Sequence, residues 1–150
     1  MKSWIYSKKK WVIKIYQKKI SNSYEIYLLY KDIEFLTNEV AYLIYLNKKG
    51  IILKQKRING NYSSSVELSA KEIINDVFIS NSDNVILIHN HPNEEINPSP
   101  NDIYATEQIR QILKTVGARL LDHIIIAKGT YFSFKDNDLL SIYPKMNAKL

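Results

Sequence analysis

The chain has 150 residues, 45% of them apolar and 24% charged, the proportions of a soluble globular domain long enough to bury a core. It contains no cysteine, which excludes disulfides and thiolate metal ligands, and no apolar run approaching the ~18 residues a membrane span needs. The formal net charge of +6 belongs to one end: residues 1–19 carry seven lysines and no acid, and the remainder sums to −1.

That basic segment also holds both tryptophans, Trp4 and Trp11. Lysines interleaved with aromatic rings suit phosphates and stacked bases, so Lys8, Lys9, Lys10 and Trp11 are candidate nucleic-acid contacts. A lysine-guarded edge strand facing solvent is the favoured alternative. No secretory signal is expected, and a cytoplasmic location is the default for a chain without cysteine.

In chain order, Trp11, Ile13 and Ile15 alternate with polar residues and predict a strand; Tyr24–Tyr30 predicts a second, with Ser21-Asn22-Ser23 as the turn between them. Residues 1–34 are thus expected to form a basic β extension packed on the core, followed by one domain over 35–140 and a tail over 141–150. Val40–Leu46 reads as a central strand, turned by Asn47-Lys48-Lys49-Gly50 into a hairpin with Ile51-Ile52-Leu53. Ser69 and Glu72 have capping-box spacing ahead of a helix over about 70–80. Val85–Ile88 is a buried strand. A second helix starts near Pro100, with Ser99 as N-cap and Asp102 at the third helical position, and stops at Gly117. Leu121–Ala127 and Tyr131–Phe134 are strands joined by Lys128-Gly129. The order predicts a mixed α/β domain with a central sheet and few helices.

The chemistry concentrates in His89-Asn90-His91-Pro92 and Pro98-Ser99-Pro100-Asn101-Asp102. Residues i and i+2 of an extended chain project to one side, so His89 and His91 aim at one point with Asn90 turned away. Pro92 ends the strand, and the loop returns Asp102 in the first turn of the next helix. Two imidazoles and a carboxylate can hold a divalent metal and leave a coordination position open, as catalytic zinc requires. A proton acceptor beside it would complete a hydrolytic site. Glu94 and Glu95 lie in a polar loop; Glu39 opens an apolar strand where a surface acid has no packing role. His123 reads as a buried, hydrogen-bonded residue more than as a fourth ligand, with contact to the back of the site as the lesser alternative.

The string HNHPNEEINPSPND resembles the metal signature of the JAB/MPN metalloprotease domain, the JAMM motif, and within it the bacterial RadC-like branch. LDHIII with the later Ser133-Phe134, and EVAYLIYLNKKG, match further segments over roughly residues 35–140. The resemblance implies a cytidine-deaminase-like α/β fold, a mixed sheet flanked by helices, with one Zn²⁺ per chain held by His89, His91 and Asp102. It implies Glu39 as general base and Ser99 as a hydrogen-bond donor to the tetrahedral intermediate. RadC-like chains usually read Ser-Gly after HNHP, where this one has Asn93-Glu94. Asn93, Glu94 and Glu95 are therefore a candidate substrate rim with a preference of its own. No helix-hairpin-helix segment of the kind that often precedes this domain is evident.

The function expected is zinc-dependent hydrolysis of an amide bond by metal-activated water, in a polypeptide or at a ubiquitin-like conjugate or precursor. The alternative is a DNA-associated protein of repair or mobile-element biology, binding nucleic acid through residues 1–19. A two-histidine, one-carboxylate set also suits non-haem Fe(II), and a non-catalytic scaffold is a fourth reading, although no ligand is lost. Base deamination is disfavoured, because its zinc site needs cysteines. Oligomeric state is open.

Overall fold

The structure is a computed structural model and describes residues 15–59 and 69–140. Five strands form one sheet: β1 (Val40–Leu46), β2 (Ile52–Asn59), β3 (Asn84–Asn90), β4 (Arg119–Ala127) and β5 (Thr130–Ser133). Their spatial order is β2-β1-β3-β4-β5. β1 is antiparallel to both its neighbours, β3 and β4 are parallel, and β5 returns antiparallel on β4. Helix α1 (Ser23–Tyr30) and a 3₁₀ turn (Lys31–Phe35) cover one face; α2 (Ala70–Ser80) and α3 (Pro100–Thr115) cover the other. The architecture is the α/β mixed sheet expected. No described helix is long and apolar enough to cross a membrane.

β1 and β3 are buried along their whole length because both faces are covered. Tyr42, Ile44, Ile86 and Ile88 face α1, packing with Ile26, Tyr30 and Ile33. Ala41, Leu43, Val85 and Leu87 face α2 and α3, meeting Ile73, Val77, Ile109 and Leu113. The β1–β2 hairpin turns through Gly50 at φ +79°, where an added Cβ would lie 2.5 Å from the Ile20 carbonyl oxygen. Ile20 donates its own N–H back to Gly50 at 2.8 Å, and Lys19 bridges to Ile51, so residues 17–20 run along the start of β2.

Three expectations fail. Tyr24–Tyr30 is helical, not a strand. Asn22 is an N-cap, accepting the Glu25 N–H at 2.9 Å, and Glu25 accepts the Ser21 N–H at 2.8 Å. Ile26, Tyr30 and Ile33 fall on one face at helical spacing and reach the core, which an alternating strand would not achieve. The expected β extension is therefore helical over Ser23–Tyr30, and Ile15 sits in a helical turn; Trp11 and Ile13 lie outside the described residues. Lastly, Ser69 caps α2 without a side-chain hydrogen bond, so no capping box forms there.

β4 carries a buried carboxylate, Asp122, 4% exposed. It accepts the Ser133 hydroxyl at 2.6 Å and the backbone amides of His123 at 2.7 Å and Lys135 at 3.0 Å, holding β5 to β4. Burial pushes its pKa up to about 6 against these hydrogen bonds, which favour the charged form. A raised carboxyl pKa means the folded state holds the proton more tightly than the unfolded chain. The resulting stability is present below about pH 4 and is lost as pH rises through about 6, worth about 3 kcal/mol at most. Urea unfolding of wild type and Asp122→Asn across that window is expected to show wild type losing ground to the variant by up to that amount. Parallel pH profiles would overturn the assignment.

Candidate active site

The site sits at the carboxyl end of β3, where the β1 register places it. Ala41 pairs with His89 across the antiparallel β1–β3 ladder. Glu39 lies two residues before Ala41 and so projects to the same side; continuing the register two pairs outward sets it opposite His91. Glu39 Oε1 is 3.9 Å from His89 Nε2. Asn90, between the histidines, points the other way and is fully buried. Its Oδ1 accepts the Val40 N–H at 2.7 Å, and its Nδ2 donates to the carbonyls of Ile33 at 3.0 Å and Asn38 at 3.1 Å. One side chain therefore clamps the backbone on both sides of Glu39. The sequence marked Asn90 only as turned away. Its signal was a lone amide in a strand buried on both faces, where such a group needs partners.

From the opposite side, α3 delivers Asp102. Ser99 is the N-cap, its Oγ accepting the Asp102 N–H at 3.1 Å while the Ser99 N–H donates to Asp102 Oδ2 at 2.8 Å. This reciprocal box, with Pro100 in the first turn, fixes the Asp102 rotamer. Asp102 Oδ1 then lies 3.1 Å from His89 Nε2, and Oδ2 lies 3.0 Å from His91 Nε2. The two Nε2 atoms are 2.8 Å apart. His91 Nδ1 makes a short hydrogen bond to the Glu95 carbonyl, which only a ring N–H can donate. The neutral His91 ring therefore turns a bare Nε2 lone pair inward.

Electrostatics follow from this crowding. The Asp102 carboxyl is buried, which opposes charge, yet contacts from His89, His91 and the Ser99 amide hold its pKa far below the ordinary range. Burial lowers the pKa of His89 despite Asp102 beside it. Burial also opposes charge on His91, but Asp102, the Glu95 carbonyl and Glu39 outweigh it and raise the pKa. Glu39 is raised by burial and by repulsion from Asp102, with His91 acting against them. A carboxylate and two ring nitrogens converge on one point, where a cation can take the place of the protons they share. The donor atoms all lie within 4.8 Å of one another, and two imidazoles with one carboxylate are a zinc-type donor set. The chemistry of the residues fits a divalent metal.

A cleft of about 960 Å³ opens on the cluster and is lined by Glu39, Arg57, His91, Asn93, Glu95 and Ser99, among others. His89 is buried behind it, with no solvent exposure. Of the expected rim, Asn93 and Glu95 line the cleft. Glu94 does not: it takes a left-handed backbone at φ +65° and is exposed outside it. Lys8, Lys9, Lys10 and Trp11 lie outside the described residues. His123 is buried and hydrogen-bonded as expected, and it is also a neighbour of the site: its Nε2 lies 2.8 Å from His89 Nδ1. The sequence left this the lesser reading because the contact depends on the parallel β3–β4 register, which sets His123 beside Leu87 and diagonally from His89.

The fold and donor cluster define an α/β domain with a histidine–aspartate centre able to hold a metal at a strand end. A family profile described as the RadC-like JAB domain matches residues 20–139, and the chain belongs to that family. It is similar to UPF0758 proteins of Clostridium tetani (36% identical over 115 residues, 76% of this chain and 50% of the relative). Those of Methanosarcina mazei (34% over 122 residues, 80% and 53%) and Fusobacterium nucleatum (36% over 124 residues, 81% and 53%) are also similar. The chain spans about half the length of these curated relatives.

Adding Zn²⁺ to chelator-treated protein is expected to raise its melting temperature, by the equivalent of ~2.7 kcal/mol at a free metal concentration of about 100 Kd. Asp102→Asn keeps an oxygen for the Ser99 amide but removes the charge, and is expected to lose that rise. Wild-type protein that melts identically with and without metal would refute the site.

Proposed function

We propose that this chain hydrolyses an amide bond in a polypeptide, as a zinc-dependent metallopeptidase of the JAMM type. The observation that carries the reading is Glu39: a half-buried carboxylate on the same side as the histidine pair, 3.9 Å from His89 Nε2, in a cleft open to substrate. A Zn²⁺ held by His89, His91 and Asp102 would supply Lewis-acid polarisation and acidify a bound water.

The remaining steps belong to the chain's own residues. Glu39 accepts a proton from the attacking water as its oxygen bonds to the amide carbon. The place of Glu39 beside the histidine pair, in the cleft, suits that task. The same proton then passes to the amide nitrogen as the C–N bond breaks, and Glu39 returns to its starting state. Ser99 uses a lone pair, not its proton, on the helix cap, so its hydroxyl can donate to the oxygen on which negative charge develops. The amino end of α3, with its outward-pointing N–H groups, favours that charge too.

For substrate, we propose an extended polypeptide, with a ubiquitin-like conjugate or precursor as the first class to screen; Asn93, Glu95 and Arg57, which line the cleft, would read it. Nucleic-acid binding is a separate proposal, supported by the seven lysines of residues 1–19, and salt-sensitive DNA binding lost on their deletion tests it.

Glu39→Gln is expected to lower turnover of a cleaved conjugate or peptide by roughly 10²–10⁴-fold with metal content unchanged. Undiminished cleavage would sink the base assignment. Ser99→Gly separates capping from catalysis, because glycine costs only a few tenths of a kcal/mol at an N-cap. It is expected to melt close to wild type while turnover falls about 10²–10³-fold; equal turnover would remove Ser99 from the chemistry. Elemental analysis of protein purified without added metal is expected to return zinc, and iron in its place would favour oxygenase chemistry.

A further inference from the structure

Behind the cluster, three side chains link in series. His89 Nδ1 lies 2.8 Å from His123 Nε2, and His123 Nδ1 is in contact with Thr106 Oγ1 at 2.5 Å. Thr106 Oγ1 lies 2.6 Å from the backbone carbonyl of Asp102, one turn earlier in α3. His89, His123 and Thr106 have no solvent exposure. Phe134 stacks on the His123 ring, centroids 4.4 Å apart and planes within 17°, so the ring is held with both nitrogens in line.

We propose that Thr106 and His123 form a one-way hydrogen-bond relay that fixes His89 as its Nδ1–H tautomer and so turns its Nε2 lone pair toward the metal position. The direction follows from counting protons. A carbonyl oxygen only accepts, so the single Thr106 hydroxyl proton goes to Asp102. The Thr106 oxygen can then only accept from His123, which places a proton on His123 Nδ1. A neutral imidazole carries a single ring proton, so with it on Nδ1 the His123 Nε2 is bare and accepts in turn. Its partner, His89 Nδ1, must carry the proton, and His89 Nε2 must not. The relay begins on the backbone of one ligand, Asp102, and ends on the ring of another. His123 and Thr106 are positioning residues: they touch neither substrate nor metal and act through His89.

The inference rests on reading His89 as a metal ligand, but the tautomer is observable without metal. Long-range ¹H–¹⁵N correlation spectra of metal-free wild-type protein distinguish the two tautomers of a neutral imidazole, and both His89 and His123 are expected as Nδ1–H. The wild-type spectrum needs no variant, and Nε2–H at either ring overturns the relay. Thr106→Val removes the hydroxyl at nearly constant volume. It is expected to mix the tautomers of both rings and to weaken Zn²⁺ binding roughly 10–100-fold, measured by competition with a chromophoric chelator. Thr106→Ser is expected to restore both readouts, which a purely space-filling role for Thr106 would not produce. Valine with wild-type tautomers and wild-type affinity overturns the proposal. Failure of the wild-type chain to bind Zn²⁺, with the tautomers as stated, would instead count against the metallopeptidase reading and leave the relay intact.

Discussion

The site depends on the antiparallel register between β1 and β3. Ala41 stands opposite His89, and this pairing decides which face Glu39 shares and how far it lies from the histidines. A slip of one residue would send every β1 side chain to the opposite face. Tyr42, now against Tyr30 and α1, would then be driven against α2 and α3, and Glu39 would leave the cleft. The core and the site are therefore specified by one decision. Burial of β1 on both faces makes that decision costly to reverse, because seven consecutive residues have packing partners in only one arrangement.

Asn90 extends this constraint beyond the last ladder bond. Ladder hydrogen bonds fix backbone, and at a strand end they run out just where the catalytic geometry begins. Its amide spends one acceptor and two donors on the Val40 N–H and on the Asn38 and Ile33 carbonyls. The segment entering β1 is thereby held by a side chain of β3, the strand that carries the histidines. Leucine, branched like asparagine but apolar, would leave the buried Val40 N–H and Ile33 carbonyl to find other partners, at about 1–3 kcal/mol each. The residue between the two histidines thus does on one face of the sheet what the histidines need done on the other.

His89, His91, Ser99 and Asp102 were legible because the geometry joining them is local. The alternation of an extended chain aligns the two rings, and helix-start chemistry sets serine and aspartate three residues apart. Glu39 stood out as an acid opening an apolar strand, the resemblance gave it a general-base role, and the β1–β3 pairing supplies the physical reason for its place. Thr106 was not legible as a neighbour of the site and His123 only as a lesser alternative, since their approach to His89 depends on packing between β3, β4 and α3, elements far apart in sequence. Tyr24–Tyr30 was misread because a short, dense apolar run satisfies both the strand and the helix period. Asn22 decided it, and the same residue that suggested a turn was an N-cap. Helix α1 and the 3₁₀ turn after it also carry the Ile33 carbonyl that Asn90 binds, so the misread segment supports the site.

Asp102 carries the heaviest load of any single group. Its Oδ2 meets both His91 and the Ser99 amide, its Oδ1 meets His89, its N–H completes the cap on Ser99, and its carbonyl accepts Thr106. A carboxylate at the start of a helix lies in the positive end of the macrodipole, which stabilises its charge and opposes a cation nearby. The two effects do not cancel evenly. The dipole acts on Asp102 from within its own first turn, whereas a cation held by His89, His91 and Asp102 would have the charge of that carboxylate as its own ligand. The helix end therefore stabilises the anionic ligand more than it repels the cation. The same positive end remains available to an oxygen gaining charge beside Ser99. An acid one turn deeper would stand at the place of Thr106, against His123 and away from the cap, and one placed before Ser99 would lose the rotamer that the cap imposes. The third helical position is where both demands are met by one side chain.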